Sequence, residues 1–282
     1  MDSKDIVIHI MGGLGNQLFQ IALGLSLAKR LGVNVHYDIS NFFCGQGSNP
    51  TKYFSTLYQN LTSYFKSTPS HTYEYHEQMW NYYDINNDIM ALAQTHDCIK
   101  LNGYWQSENH FLEMKNELRT KFNMDHPYLY IPEEVFIANP KIHTITPESV
   151  LICVRRGDYV NKSNFHFPCG MTYYKKAMNH FPENTVFYII SDDMEWCKNN
   201  FSKLDTKSEF VFLDINDDLS TFFVGSLFSN FIISNSTFHW WISYFSNSNT
   251  PKIIAPDKWI NLPKHTSIYR SDMIVLERPV EP

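Results

Sequence analysis

Residues 6–38 of this 282-residue chain, IVIHIMGGLGNQLFQIALGLSLAKRLGVNVHYD, decide its fold class. Ile6–Ile10 is an apolar run of strand length, and a glycine-rich turn follows it. Apolar residues then recur at helical spacing over 18–28, with Asn16 as the expected N-cap and Gly32 as the expected C-terminal stop. A second strand-like run closes the stretch. This order of strand, helix and strand predicts a βαβ unit with parallel strands.

The same alternation returns in the second half of the chain. Predicted strands lie at 150–154, 186–190, 210–213, 231–233 and 252–255, and predicted helices lie at 173–181, 218–229 and from about 238 onward. Apolar strands that lead into polar turns and then helices are typical of a parallel α/β sheet, in which ligands bind beyond the carboxyl ends of the strands. Residues 40–122 are less regular, with helical patterns near 53–66 and 108–122.

Prolines mark the connection between the two halves. Four of them fall between residues 124 and 147, namely Pro127, Pro132, Pro140 and Pro147. Helices and central strands tolerate proline poorly, so we place a domain boundary in this segment. We predict an N-terminal α/β domain over 1–140 and a C-terminal Rossmann-type domain over 141–282, with a cleft between them.

The composition is that of a packed globular protein, with 43% hydrophobic and 18% charged residues. The net charge of −6 disfavours a nucleic-acid-binding protein, because such proteins carry a basic surplus. If the ligand carries phosphate groups, the positive charge that binds them must be concentrated locally.

The cysteines and the N-terminus indicate the compartment. Five scattered cysteines form no CxxC pair, which is typical of a reduced cytosolic chain without a disulfide framework or a zinc site. The first residues lack the basic region, apolar core and cleavage site of a signal peptide. No stretch reaches the ~18–20 apolar residues of a transmembrane helix. We therefore expect a cytoplasmic protein.

The glycine-rich turn has three interpretations. Gly12 and Gly13 let the backbone pass close to a ligand and direct the N–H groups of the following helix outward. A dinucleotide-binding turn is the second interpretation, since Asp38 ends the next strand where a ribose-binding acid is expected. Leu18 stands in the place of the third glycine of that motif, however. A purely structural tight turn is the third interpretation.

The segment Arg155-Arg156-Gly157-Asp158 directly follows a nearly unbroken apolar strand. An arginine is always charged and offers a rigid fork of donors to phosphate oxygens. At the carboxyl end of a buried strand, one guanidinium can face a ligand while Asp158 pairs with the other. The alternative is a structural arginine–aspartate salt bridge at a domain edge.

Two further polar turns follow predicted strands. Ser236 and Thr237 can cap the next helix, whose N–H groups and dipole favour an anion. One carboxylate of the Asp192-Asp193 pair would cap a helix at Met194, and we assign the other, Asp192, to the guanine or ribose of a nucleotide. A metal site is disfavoured, because no further carboxylate or histidine spacing accompanies the pair. The Trp240-Trp241 pair is assigned to the core.

Four segments together resemble one family of enzymes. They are 12–20 (GGLGNQLFQ), 154–159 (VRRGDY), 191–196 (SDDMEW) and 232–241 (IISNSTFHWW). In this order they are similar to the bacterial α-1,2-fucosyltransferases of glycosyltransferase family 11. The resemblance implies a GT-B-like fold of two Rossmann-type domains, an acceptor side in the N-terminal domain and GDP-fucose as the donor. It also implies no metal requirement, and inverting transfer to a galactose-terminated glycan such as an O-antigen repeat.

The resemblance also implies roles for individual residues. Arg155 and Arg156 should contact the diphosphate, Asn16 in the turn after Gly12 and Gly13 should approach the donor sugar, and the phosphate site should be lined by Ser236, Thr237 and Phe238. The arginine motif usually opens with a histidine, whereas this chain has Cys153 there. If the acceptor is lipid-linked, the enzyme would contact the membrane peripherally.

The attacking hydroxyl needs a base within hydrogen-bond reach, and the sequence offers two candidates, Asp158 and His166. Arg156 is counted with them as catalytic, because charge develops on the leaving diphosphate. Two other functions stay open: an NAD-dependent oxidoreductase that uses the N-terminal βαβ unit, and a non-catalytic sugar-binding protein.

Overall fold

The computed structural model describes residues 4–40, 47–69, 71–78, 81–161, 166–261 and 266–277. The chain divides into two compact units, which we number in chain order. Unit 1 consists of Met1–Asp125 and Lys264–Ile268, and unit 2 consists of His126–Pro263 and Tyr269–Pro282. The division thus falls inside the proline-containing segment, before the predicted boundary at 140/141.

Unit 1 contains a four-stranded parallel sheet. Its strands are β1 (Asp5–His9), β2 (Asn34–Asp38), β3 (Tyr73–His76) and β4 (Cys98–Asn102), in the order β2-β1-β4-β3. Its helices are α1 (Leu14–Leu31), α2 (Asn86–Leu92) and α3 (Lys115–Lys121). Short 3-10 helices lie at Pro50–Tyr53, Gln59–Tyr64, Glu108–His110 and Leu112–Met114. Ile8 is in register with Tyr37 of β2 and Leu101 of β4.

The predicted βαβ unit is confirmed, but α1 begins earlier than expected. Gly13 is the N-cap, with φ −72° and ψ 172°, and the N–H of Asn16 already donates to the carbonyl of Gly13 at 2.9 Å. Asn16 therefore lies in the first turn and is not the cap. Gly32 ends the helix in the left-handed conformation, as predicted. Tyr37, fully buried, fixes β2 to α1 by donating to the carbonyl of Ile21 at 2.9 Å.

Unit 2 contains a six-stranded parallel sheet in the order β10-β9-β8-β5-β6-β7. The strands are β5 (Val150–Val154), β6 (Val186–Ser191), β7 (Glu209–Phe212), β8 (Asn230–Ile232), β9 (Lys252–Pro256) and β10 (Met273–Leu276). The helices are α4 (Glu133–Ala138), α5 (Gly157–Asn161), α6 (Met171–Met178), α7 (Met194–Phe201), α8 (Asp218–Gly225) and α9 (Thr237–Tyr244). Two 3-10 helices, Pro127–Tyr130 and Pro140–Thr144, precede the sheet. The α/β class with two parallel-sheet units is confirmed.

The core of unit 2 surrounds its central strand. Every residue of β5 is fully buried, and the cluster around it includes Tyr173, Tyr174, Phe187 and Phe201. Trp240 and Trp241 on α9 are also fully buried, which confirms their assignment to the core. A strand that is apolar on both faces occupies the middle of a parallel sheet, because helices cover both of its sides.

The strand orders place a topological switch point in each unit. From β5 the chain proceeds to β6 and β7 on one side, while β8, β9 and β10 lie on the other side. In unit 1, β2 lies on one side of β1, and β4 and β3 lie on the other. Connections that leave neighbouring strands in opposite directions open a crevice beyond their carboxyl ends, and ligands bind there in open α/β sheets.

Among the described residues, no helix combines the length and apolar character that crossing a membrane requires.

Candidate functional site

Three polar segments meet at the carboxyl edge of the unit 2 sheet. Arg155 and Arg156 follow β5, Asp192 and Asp193 come at the end of β6, and residues 233–236 connect β8 to α9. Because β5 pairs with both β6 and β8, the three segments are neighbours at the switch point. The sequence predicted this grouping from the strand ends alone.

Arg155 is held by two carboxylates. Its Nη2 donates to Asp158 Oδ1 at 2.7 Å, and its Nη1 lies 2.9 Å from Asp192 Oδ2. Its guanidinium lies 5.3 Å from the centre of the Tyr159 ring, within the range of a cation–π contact. The predicted pairing of Asp158 with one arginine is confirmed. The side chain of Arg155 is still 37% exposed, so one surface of the guanidinium can meet a ligand.

Arg156 is held on the other side of the segment, against α7. Its Nε donates to Asp193 Oδ2 at 3.1 Å, and its guanidinium lies 4.2 Å from the centre of the Trp196 ring. Its backbone N–H donates to Asp192 Oδ1 at 2.8 Å. A planar guanidinium can stack on an indole and bond a carboxylate at the same time. These contacts give Arg156 one defined orientation.

The two aspartates have distinct structural roles. Asp193 caps α7, since its Oδ1 accepts the backbone N–H of Trp196 at 3.1 Å, which confirms the predicted cap. Asp192 uses one oxygen for each arginine, so the structure shows it joining Arg155 to Arg156. A Cβ on Gly157 would collide with Asp192 Oδ2, which explains the glycine there. The assignment of Asp192 to a nucleotide stays a prediction.

The start of α9 lies at the carboxyl end of β8, the strand next to β5. Ser236 occupies the N-cap position, although its side chain makes no capping hydrogen bond, and Thr237 and Phe238 follow in the first turn. N–H groups in a first turn have no acceptor within the helix, and with the helix dipole they attract an anion. Ser234 Oγ lies 2.8 Å from His239 Nδ1. Burial, together with the charge of Arg155, lowers the pKa of His239 to about 3.

Tyr159 joins the arginine segment to the β8–α9 connection. Its hydroxyl donates to the carbonyl of Asn235 at 3.2 Å, and burial raises its pKa to about 12. The ring of His166 stacks on it, with centroids 3.9 Å apart and an interplanar angle of 4°. The two candidate bases, Asp158 and His166, are thus both placed around Arg155 and Tyr159. Tyr159 had no role in the sequence prediction, although its place four residues after Arg155, in a helical turn, could have indicated one.

Cys153 is the residue beside the arginines that departs from the family pattern. It is fully buried in β5, and burial raises the pKa of its thiol well above the ordinary value. The thiol is therefore neutral and belongs to the core. Among the described residues, the structure contains no cluster of three or more histidine, cysteine, aspartate or glutamate side chains that could hold a metal ion.

The glycine turn of unit 1 occupies the switch point of its own sheet. Gly12 has φ +79°, a conformation that favours glycine. Gln17 Nε2 donates to the carbonyls of Gly12 and Ser48 at 2.9 and 2.6 Å. Asn16 Oδ1 accepts from Gln106 Nε2 at 2.9 Å. Gln106 follows β4, a strand that the sequence reasoning missed, so this partner of Asn16 was not predicted.

The dinucleotide interpretation of this turn is not supported. Asp38, its candidate ribose-binding acid, is fully buried and accepts from Lys100 Nζ at 2.8 Å and from the hydroxyl of Thr68. Burial alone would raise the pKa of Asp38, but its hydrogen bonds with Lys100, Thr68 and Ser40 hold that pKa well below the usual range. The carboxylate is thus committed to internal partners. Leu18, in place of the third glycine, is fully buried.

Comparison with known proteins finds glycosyltransferases by family and by individual relatives. The family model described as Glycosyl transferase family 11 matches residues 8–277. The α-1,2-colitosyltransferase of Escherichia coli is 26% identical over 281 residues, covering 90% of this chain and 92% of that protein. The O-antigen biosynthesis glycosyltransferase WbnK of Escherichia coli is 22% identical over 291 residues, covering 89% and 93%. Galactoside α-(1,2)-fucosyltransferase 2 of Oryctolagus cuniculus is 24% identical over 275 residues, covering 90% and 72%.

Proposed function

Because the chain belongs to glycosyl transferase family 11, and is therefore a glycosyltransferase, we propose that it transfers L-fucose from GDP-fucose to the 2-hydroxyl of a terminal galactose. Relatives named as an α-1,2-colitosyltransferase and a galactoside α-(1,2)-fucosyltransferase support the linkage. The relative named for O-antigen biosynthesis supports a surface oligosaccharide as the acceptor. The four motifs that carry the resemblance all lie inside the matched region.

The observation that carries the proposal is that two arginines and the N-terminus of a helix meet at the β5–β8 switch point of an acidic chain. Arg155 follows β5, and the N-terminus of α9 follows β8. We assign the diphosphate to Arg155, Arg156, Ser236, Thr237 and Phe238. Arginine forks and helix N–H groups are the groups that proteins use to bind phosphate.

The same groups explain how the reaction would be accelerated. The bond between C1 of the sugar and the β-phosphate oxygen breaks, and its electron pair leaves with the phosphate. Positively charged and N–H donors fixed around that phosphate stabilise the developing charge, which is the largest single contribution in many enzymes. The acceptor oxygen bonds to C1 from the opposite face, so the configuration inverts.

A base must take the proton of the acceptor hydroxyl, and we retain Asp158 and His166 as the candidates. Asp158 is paired with Arg155, whereas His166 is stacked on Tyr159. We assign Gly12, Gly13 and Asn16 to the donor sugar and unit 1 to the acceptor. We place the reaction in the cytoplasm, which fits the free thiols of the four described cysteines, with peripheral membrane contact if the acceptor is lipid-linked.

A donor screen tests the proposal. Purified protein is incubated with a β-galactoside and GDP-fucose, GDP-mannose or UDP-galactose, each with and without EDTA, and released nucleotide and glycan product are measured. GDP-colitose is a further arm, because a relative is named for the transfer of colitose. We expect turnover with GDP-fucose that EDTA leaves unchanged. Turnover with UDP-galactose but not with GDP-fucose would contradict the proposal. Loss of the GDP-fucose turnover in EDTA would also contradict it.

A further inference from the structure

His239 lies in the first turn of α9, where the sequence reasoning assigned only its neighbours. The residue is 5% exposed, and its Nδ1 is 2.8 Å from Ser234 Oγ. Nε2, on the opposite edge of the ring, has no hydrogen-bond partner among the described residues. Nε2 is therefore the ring atom of His239 that can meet a ligand.

The surroundings of His239 belong to the arginine site. The charge of Arg155 acts on the His239 ring, and Tyr159, which packs under Arg155, donates to the carbonyl of Asn235 in the same connection that carries Ser234. Two elements that start from neighbouring strands, β5 and β8, thus bring a guanidinium and an imidazole to the same end of α9.

The protonation state of His239 limits what it can do. Burial and Arg155 lower its pKa to about 3, so the ring is neutral at any pH near 7. A neutral imidazole with so low a pKa is a poor base for a sugar hydroxyl, and it has no imidazolium proton to deliver. It is well suited to donate a hydrogen bond without adding a charge that would have to be desolvated.

We propose that His239 is a further donor-site residue, whose Nε2–H donates a hydrogen bond to the β-phosphate oxygen that leaves with GDP. In this proposal the Ser234 hydroxyl donates to Nδ1, which keeps the ring proton on Nε2 and makes Ser234 the positioning residue. No proton is transferred in this step. The C1–O bond breaks, the electron pair passes to the β-phosphate oxygen, and the hydrogen bond from His239 strengthens as that charge grows.

This inference rests on the proposed glycosyl transfer, and two substitutions separate the donor role from packing. His239→Gln retains an amide N–H near the place of Nε2, whereas His239→Asn reaches only as far as Nδ1. Affinity for GDP, kcat and KM for GDP-fucose, and the melting temperature are measured for both. We expect His239→Asn to lower kcat roughly 100-fold, as the loss of one transition-state donor does, and His239→Gln to stay within about tenfold. Ser234→Ala is expected to fall between them.

A buried histidine of the other unit provides the control. His110 is 4% exposed, and burial lowers its pKa to about 4, so His110→Gln measures the cost of removing a buried neutral ring elsewhere. Its melting temperature is expected to fall while kcat stays near wild type. Equal losses of kcat in His239→Asn and His239→Gln, or kcat within about threefold of wild type in both, would overturn the donor role.

The two hypotheses fail in different ways. If the wild-type protein does not transfer fucose, the proposed function fails, but GDP affinity still tests the contact to the phosphate. In that case weaker GDP binding by His239→Asn than by His239→Gln supports the contact, and equal binding contradicts it.

Discussion

At the scale of single residues, the two adjacent arginines are held in different ways. Arg155 is shared between Asp158 and Asp192, beside the ring of Tyr159. Arg156 is fixed against α7, and its side chain is 18% exposed. The first is more open to a ligand, and the second has more of its surface engaged by the protein. The structural interpretation of the arginine pair is therefore confirmed, and the functional interpretation stays a prediction.

Substitution of Arg156 by lysine tests whether this geometry matters. A lysine ammonium is a compact charge without a planar surface, so it cannot bond Asp193 and stack on Trp196 at once as the guanidinium does. We expect Arg156→Lys to fold normally and to lose on the order of 100-fold in kcat, the usual effect of displacing one transition-state donor. Arg155→Lys is the matched comparison. Near-normal kcat in Arg156→Lys would show that this arginine serves only the scaffold.

The buried pair of Asp38 and Lys100 contributes to the stability of the fold in acid. The folded-state pKa of Asp38 lies below its unfolded value, so its contribution to stability is present above about pH 4 and is lost as the pH falls through the folded-state pKa. Asp38→Asn leaves Lys100 buried without its counter-charge, which costs about 3–5 kcal/mol at neutral pH. Urea unfolding of both proteins at pH 7 measures the cost of the substitution, and urea unfolding of the wild type from pH 4 down to about pH 2 measures the loss of stability in acid.

The double variant Asp38→Leu with Lys100→Met is the control for that prediction. Removing both charges should restore most of the free energy of unfolding, because no unpaired charge remains. It should also flatten the fall in stability below pH 4. If Asp38→Asn alone is as stable as wild type, the ion pair does not contribute as argued.

At the scale of elements, the central strand β5 was predicted more accurately than the start of α1. The apolar run of β5 was predicted with its observed limits, because a strand buried on both faces carries a continuous apolar signal. Asn16 was a reasonable cap by residue type, yet α1 begins at Leu14, because Gly13 already takes the cap conformation. In unit 1, β3 was missed: it lies at the edge of the sheet and reads YEYH, with three of its four residues exposed.

The turn between β5 and α5 provides a test at this scale. A Cβ at position 157 would collide with Asp192 Oδ2, so Gly157→Ala must displace the carboxylate that joins Arg155 and Arg156. We expect at least tenfold weaker GDP binding, with a small change in melting temperature because the turn is at the surface. Isothermal titration with GDP measures the first quantity. Unchanged GDP affinity would show that the position of Asp192 does not matter.

At the scale of the whole molecule, the part of the candidate site that lies in unit 2 could be predicted from the sequence. The segments 154–159, 191–196 and 232–241 all lie in unit 2, and parallel strands bring their ends to one edge regardless of how far apart they are in the sequence. The order of the strands does not predict contacts that depend on side-chain packing, such as that between Arg156 and the Trp196 ring. The hydrogen bond from Gln106 to Asn16 could not be predicted, because Gln106 follows β4 and that strand was not predicted.

Hydrogen exchange with bound nucleotides tests each of the proposed donor segments separately. If the guanosine diphosphate is bound by unit 2, GDP should slow exchange at the amides after β5 and at the start of α9. If Asn16 serves the sugar, GDP-fucose should in addition slow exchange in the turn at 12–16, which GDP alone leaves unchanged. NAD should protect neither region, because Asp38 is committed to Lys100. Protection of the 12–16 turn by GDP alone would instead assign that turn to the nucleotide and remove the argument for Asn16 as a sugar contact.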